Sequence, residues 1–174
     1  MTTQATVEPG HIEAGSKFLT FVLEGGVYGI PILIVREIIA MQPVTPLPRM
    51  PQAIEGVINL RGKIIPVLDL RKSLGLHAGE HDRSTCVIVL DVETHDQNTV
   101  NIGCVVNAVR EVSNVKSEDI QEPPSVGTRL DADYILGLAK SEASEHVVTL
   151  LDMRVVLSEF MNEAGGFDAM GMGG

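Results

Sequence analysis

Apolar and polar residues alternate along several short stretches of the chain. A period of two marks strands that press one face on a core. Residues 18–23 place Leu19, Phe21 and Leu23 on one such face. Gly25-Gly26 predicts a hairpin turn and residues 28–30 the return strand. Pro31 suits the first turn of a helix, where no backbone donor is needed. Ile32, Val35 and Ile39 then recur at helical spacing, which predicts a short helix. Pro43, Pro46, Pro48 and Pro51 deny the next stretch a central strand and predict an extended edge or loop. Residues 56–60 and 63–68 are apolar runs separated by Arg61-Gly62. That spacing predicts a tight hairpin with Arg61 at or beside its exposed tip.

The second half continues in the same manner. Residues 70–74 predict a short helix before Gly75, and residues 77–84 a charged loop. Cys86, Ile88, Leu90 and Val92 alternate with Val87, Val89 and Asp91. Val100, Ile102, Cys104 and Val106 alternate likewise, across a polar loop at 93–98. Residues 122–127 form a proline-rich connector, and residues 134–139 and 147–151 predict two more strands. Met153, Val156, Leu157, Phe160 and Met161 follow the spacing of an amphipathic helix. The ends, 1–16 and 163–174, lack a period and predict flexible tails around one domain at 17–162.

The two halves echo each other. Tyr28-Gly29-Ile30 leads to Val35-Arg36-Glu37-Ile38, and Ile102-Gly103-Cys104 leads to Val109-Arg110-Glu111-Val112 at the same offset. Val67-Leu68-Asp69-Leu70-Arg71 matches Leu150-Leu151-Asp152-Met153-Arg154. Two copies of a small β unit explain the echo, and short antiparallel strands at this spacing favour barrels or sandwiches. A unit of about 60–75 residues is weakly stable alone, so the copies are expected to pack together with a groove between them.

Composition narrows the function classes. The chain has 174 residues, 44% hydrophobic and 21% charged, enough for a core without disulfides or metal. Aromatic residues make up 3% and Trp is absent, so Ile, Val and Leu must build that core. A formal net charge of −10 repels nucleic acid and anionic lipid. The charge and the scarcity of aromatics together argue against single-strand nucleic-acid binding. No apolar run is long enough to span a bilayer, and the N-terminal residues lack a signal-peptide pattern. Cys86 and Cys104 therefore predict reduced, buried thiols, with a disulfide between neighbouring strands as the alternative.

Candidate chemistry is sparse. The nucleotide-binding glycine motifs and the G-x-S-x-G nucleophile turn are absent. His77 and His81, beside Glu80 and Asp82, have a spacing that could hold a metal on a helix, but Gly79 intervenes and no third ligand accompanies them. They read as a solvated loop, with metal binding as the competing possibility. Asp69 and Asp152 tempt as a catalytic carboxylate pair. Each stands at a strand end followed by x-Arg, which reads as a cap or an ion pair with its own Arg. Surface for protein contact remains: the apolar segment 32–39, and Arg61 raised between Val57-Ile58 and Ile64-Ile65.

Residues 56–71, Gly-Val-Ile-Asn-Leu-Arg-Gly-Lys-Ile-Ile-Pro-Val-Leu-Asp-Leu-Arg, closely resemble the signature of CheW-type bacterial chemotaxis coupling proteins. Phe21, Tyr28-Gly29-Ile30-Pro31, the two V-R-E segments, Ile135-Leu136-Gly137-Leu138 and Leu151-Asp152 extend the resemblance from about Lys17 to about Met161. The resemblance implies a mainly β fold of two intertwined five-stranded SH3-like barrels around a hydrophobic seam. It implies a cytoplasmic adaptor without catalysis or cofactor, recruited to membrane-associated arrays. Its partners would be the cytoplasmic tips of methyl-accepting chemoreceptors and the regulatory domain of the histidine kinase CheA. No phospho-receiver or kinase domain follows, which leads to the expectation of a stand-alone coupler. By position, Val35, Glu37, Gly56 and Arg61 match residues of the family's receptor-binding region. Ile39 and Val57 are expected to line the same groove by proximity. The alternatives are a coupler of a non-flagellar pathway and a small-molecule- or metal-binding β protein.

Overall fold

The chain alternates short strands with tight turns. The computed structural model describes residues 16–94, 96–123, 134–141 and 145–163. The first half carries β1 (Ser16–Leu23), β2 (Gly26–Pro31), β3 (Val35–Ala40), β4 (Ile54–Leu60), β5 (Lys63–Asp69) and the one-turn helix α1 (Leu70–Ser73). The second half repeats the order with β6 (Cys86–Glu93), β7 (Thr99–Val106), β8 (Ala108–Val115), β9 (Ile135–Lys140), β10 (Val147–Leu151) and helix α2 (Met153–Glu163).

The strands form two five-stranded sheets, ordered β8-β1-β2-β10-β9 and β3-β6-β7-β5-β4. Adding five to each first-half strand converts one order into the other, with β3 and β8 exchanging places. Each half thus divides between the sheets, its first two strands joining the last three strands of the other half, which is the intertwining that the resemblance implied. The registers repeat as well. Gly29 stands beside Leu150 in the parallel pair β2–β10, and Gly103 beside Val67 in β5–β7. A register shift falls at the same place in the corresponding strands β3 and β8, between Val35 and Glu37 on β3 and opposite Leu19/Phe21 on β8.

Each sheet is an open ladder whose outer strands meet at one isolated bridge. Past β3 the chain returns so that Thr45 and Val57 exchange two hydrogen bonds of 2.9 Å. In the other sheet Gln121 and Leu138 do the same, at 2.8 and 2.7 Å. Each sheet therefore curls round its own small cluster. Phe18, Val115, Ala139, Val148 and Leu150 fill the first, and Ile58, Ile65, Val67, Val87, Val89 and Val105 the second. The other faces of the same strands meet in a shared seam containing Phe21, Leu23, Leu68, Leu90, Ile102, Leu151 and, from α2, Val156 and Phe160. Phe21 and Tyr28 stack there, with ring centroids 6.3 Å apart.

Three expectations need correction. The segment after Pro31 makes a single 3₁₀ turn (Ile32–Ile34) and then runs straight as β3, not as a helix. A turn followed by a bulged strand gives spacings of three and four, which imitate a helix, and β-branched residues suit the strand. The first hairpin turns on Glu24-Gly25, both with positive φ (47° and 85°), while Gly26 already belongs to β2. Ser16 opens β1 and Glu163 lies in α2, so both supposed tails lose a residue. The rest of those tails and most of the 122–127 connector lie outside the described residues. Cys86 and Cys104 are free and are not opposite each other, pairing instead with Val106 and Ile88. Burial pushes the Cys104 thiol up to about 12.

Because one seam serves both sheets, Phe21→Ala should cost about 3–5 kcal/mol. Urea unfolding followed by circular dichroism and by NMR signals from each sheet should give one coincident transition. Separate transitions for the two sheets would contradict the shared seam.

Candidate functional site

Glu37 and Arg61 meet across the gap between the outer strands of the second sheet. β3 supplies Val35, Glu37 and Ile39, and β4 supplies Gly56 and Val57. The β4–β5 hairpin supplies Arg61 at a tight turn, where Arg61 and Gly62 have φ of 51° and 84°. Consecutive positive φ values give the turn whose twist matches the flanking strands. The side chain of Asn59 secures it by accepting from the Gly62 N–H at 2.8 Å.

Arg61 forks onto Glu37. Its Nη1 donates to Oε2 at 2.9 Å, and its Nη2 donates to Oε1. The Arg61 side chain is 72% exposed and that of Glu37 20%. The Arg61 hydrogen bond lowers the Glu37 pKa, with charge contributions from Arg61 and Arg36, so the carboxylate stays ionised. Exposed pairs contribute little to stability, but a bidentate Arg–carboxylate pair fixes orientation.

The other expected residues do not form one surface. The register shift on β3 places Val35 opposite Leu90, a seam residue, and Ile39 opposite Val87, which belongs to the inner cluster. Val35 packs on the seam, and Ile39 packs on the inner cluster. Val57 alternates with Ile58, which is in that cluster, so Val57 faces away from it. Ile39 and Val57 therefore do not line one face. Gly56 has φ +146°, and a Cβ there would collide with the Thr45 carbonyl. Its lack of a side chain is what lets the Thr45–Val57 bridge form. Gly137 holds the matching place beside the Gln121–Leu138 bridge, where a Cβ would run into Ile120.

The competing chemical readings find other roles. Asp69 caps α1, accepting from the Arg71 N–H at 3.0 Å, and pairs with the Arg71 guanidinium at 3.0 and 2.9 Å. Burial alone would raise the Asp69 pKa, but the Arg71 bonds and charge outweigh it and hold the carboxyl low. Asp152 accepts from the Arg154 N–H at 3.1 Å and pairs with its Nε at 3.4 Å. Both aspartates are thus engaged as caps with their own Arg. His77 and His81 lie in irregular chain. Among the described residues, no group of three or more His, Cys, Asp or Glu is arranged to hold a metal.

Several residues outside the motif positions shape this region. Thr45 forms the closing bridge. Arg36, Asp91, Asn101 and Lys63 form a chain of polar contacts across the same sheet. Asp91 and Asn101 carried a signal, since each interrupts an apolar series on its strand. Leu33, Ile38 and Ile64, on the same segments as the fork, are exposed apolar residues.

These features define a paired-sheet β protein in which Asp69 and Asp152 serve as caps and Glu37 and Arg61 as a surface clasp. Residues 17–161 match the family model of the CheW-like domain. The chain is 37% identical over 144 residues to chemotaxis protein CheW of Klebsiella aerogenes, covering 83% of this chain and 82% of that one. It is 33% identical over 146 residues to chemotaxis protein CheW of Treponema pallidum, covering 82% of each. The crystal structure of scaffolding protein TtCheW from Thermoanaerobacter tengcongensis superposes with a TM-score of 0.70 at 32% identity, covering 84% of this chain and 90% of that one. The chain belongs to the CheW-like family of chemotaxis adaptors, a non-catalytic scaffold family.

Gly56→Ala combines a strained φ with a backbone collision and should cost about 3 kcal/mol or more in urea unfolding. The Thr45 and Val57 amides should exchange with deuterium faster. Unchanged exchange there would contradict the closing role of Gly56.

Proposed function

We propose that this protein couples the cytoplasmic tips of methyl-accepting chemoreceptors to the histidine kinase CheA, without catalysis or cofactor. The observation that carries this reading is the motif at residues 56–71, which puts Arg61 in the turn after β4 and holds it against Glu37 on β3. Receptor contact is assigned to Val35, Glu37, Ile39, Gly56, Val57 and Arg61. Within that set the roles divide. Arg61 and Glu37 offer charge at the surface, Val57 offers an aliphatic face, and Gly56 keeps the strands close. Val35 and Ile39 support β3 from its two sides. A helical receptor tip presents apolar and polar faces, and the fork would set its register.

The regulatory domain of CheA is assigned to the ends of the sheets. The site of action is the cytoplasmic side of membrane-associated receptor arrays. Among the described residues no helix is long and apolar enough to cross a membrane. A receptor tip that switches between two conformations would bias the kinase only if its contacts with the coupler differ between them.

Co-sedimentation with a chemoreceptor cytoplasmic fragment, with and without CheA, tests this function. Saturable binding is expected, with Arg61→Ala weakening it about tenfold and Arg61→Glu weakening it further. Wild-type affinity in a well-folded Arg61→Glu variant would contradict the assignment.

A further inference from the structure

Arg61 is the most exposed charged member of the candidate site, and a long exposed side chain loses rotamer freedom when held in one geometry. A polar belt runs across four strands of the same sheet, from β3 to the β4–β5 hairpin that carries Arg61. On β3, the Arg36 guanidinium lies 3.6 Å from the Asp91 carboxylate on β6. Asn101 on β7 donates from Nδ2 to Asp91 Oδ1 at 2.6 Å. Lys63 on β5 donates from Nζ to Asn101 Oδ1 at 2.9 Å. Lys63 follows the Arg61-Gly62 turn, and Arg61 returns to Glu37 on β3, one residue from Arg36. The circuit joins β3 to the hairpin by the opposite route from the fork.

The belt lies one step beyond the inner cluster. Asp91 shares a strand face with Val87 and Val89, Asn101 with Gly103 and Val105, and Lys63 with Ile65 and Val67. Polar groups at the end of an apolar cluster could simply meet water there. The other sheet separates that role from a specific one. The pair Asp91–Asn101 on β6–β7 corresponds to Val22–Val27 on β1–β2, because Gly103 and Gly29 hold the same place in the repeat. Lys63 corresponds to His146. The same fold position is thus filled by two half-buried valines above an intact inner cluster. The fold does not require the belt, and the belt occurs in the sheet that carries Arg61.

We propose that Asp91, Asn101 and Lys63 are positioning residues: they fix the β4–β5 hairpin against β3 so that Arg61 meets its partner in one orientation. This deepens the coupling reading, and its binding test rests on that reading. Its spectroscopic test does not.

The test compares the full-length wild type with Asn101→Ala, Lys63→Met, Arg61→Ala and the exchange Asp91→Asn with Asn101→Asp. The exchange keeps an amide beside a carboxylate between Arg36 and Lys63. NMR of the Arg61 guanidinium should show separate Nη1 and Nη2 signals in the wild type. These should coalesce in Asn101→Ala and in Lys63→Met and separate again in the exchange variant. Affinity for a chemoreceptor cytoplasmic fragment should fall about three- to tenfold in the two single variants and recover in the exchange, with thermal midpoints unchanged. Unaltered Arg61 signals in the single variants would overturn the proposal, as would wild-type affinity in them where Arg61→Ala has lost binding. Retained affinity in Arg61→Ala would instead remove the receptor assignment, leaving the guanidinium signals to decide the positioning role. If Asn101→Ala does not fold, Lys63→Met and the exchange carry the same readouts.

Discussion

Everything in this molecule depends on the division of each half between the two sheets. β1 and β2 complete the sheet of β8, β9 and β10, and β6 and β7 complete the sheet of β3, β4 and β5. Neither half can form its five-stranded ladder alone, and neither can bury the seam-facing sides of its strands. Strands such as β1 and β6 are covered on both faces, one by an inner cluster and one by the seam. A small repeat gains through this arrangement the burial that its own length cannot supply.

A polar hub fixes how the halves meet. Arg71, 1% exposed, binds Asp69 and reaches Glu24 at 3.2 Å in the β1–β2 turn of the other sheet. Glu24 also accepts from Asn107 Nδ2 at 3.2 Å, and its own N–H donates to Asn107 Oδ1 at 3.0 Å. The Asn107 bond first, then the Gly79 N–H and Arg71, hold the Glu24 pKa down. A buried ion pair need not add net stability, because desolvation opposes the attraction, but its directed bonds disfavour other alignments. The second-half counterpart, Asp152 and Arg154, keeps the cap with an exposed Arg. The repeat therefore conserves the backbone cap and varies the charge network, as it does at the polar belt of the second sheet.

Local chemistry made much of the fold legible. Where a period of two met a two-residue turn, as around Arg61-Gly62, the hairpin followed directly. The strand exchange was not legible from the pattern itself, because alternation says which residues face a core and not which strand lies alongside. The resemblance supplied it. The register shift on β3 disguised a strand as a helix. The same shift concealed that Val35 and Ile39 point to different cores. Arg61 could be placed at a tip from its neighbours alone. Its fork with Glu37 could not, since that contact crosses the open edge of a sheet between residues far apart in sequence. Gly56 was legible only as a motif position, and its physical reason is the close approach of Thr45.

The central claim is that Arg61 acts as a surface cation toward a receptor and not merely as a clasp for the sheet edge. The exchange Arg61→Glu with Glu37→Arg separates the two roles, because it restores the fork with its charges reversed. Receptor-fragment affinity should be measured for it beside each single variant, with unfolding midpoints as a check on the clasp. The account predicts a midpoint close to that of the wild type and binding that stays lost. Recovery of wild-type affinity in the exchange would show that the clasp alone matters and would contradict the claim.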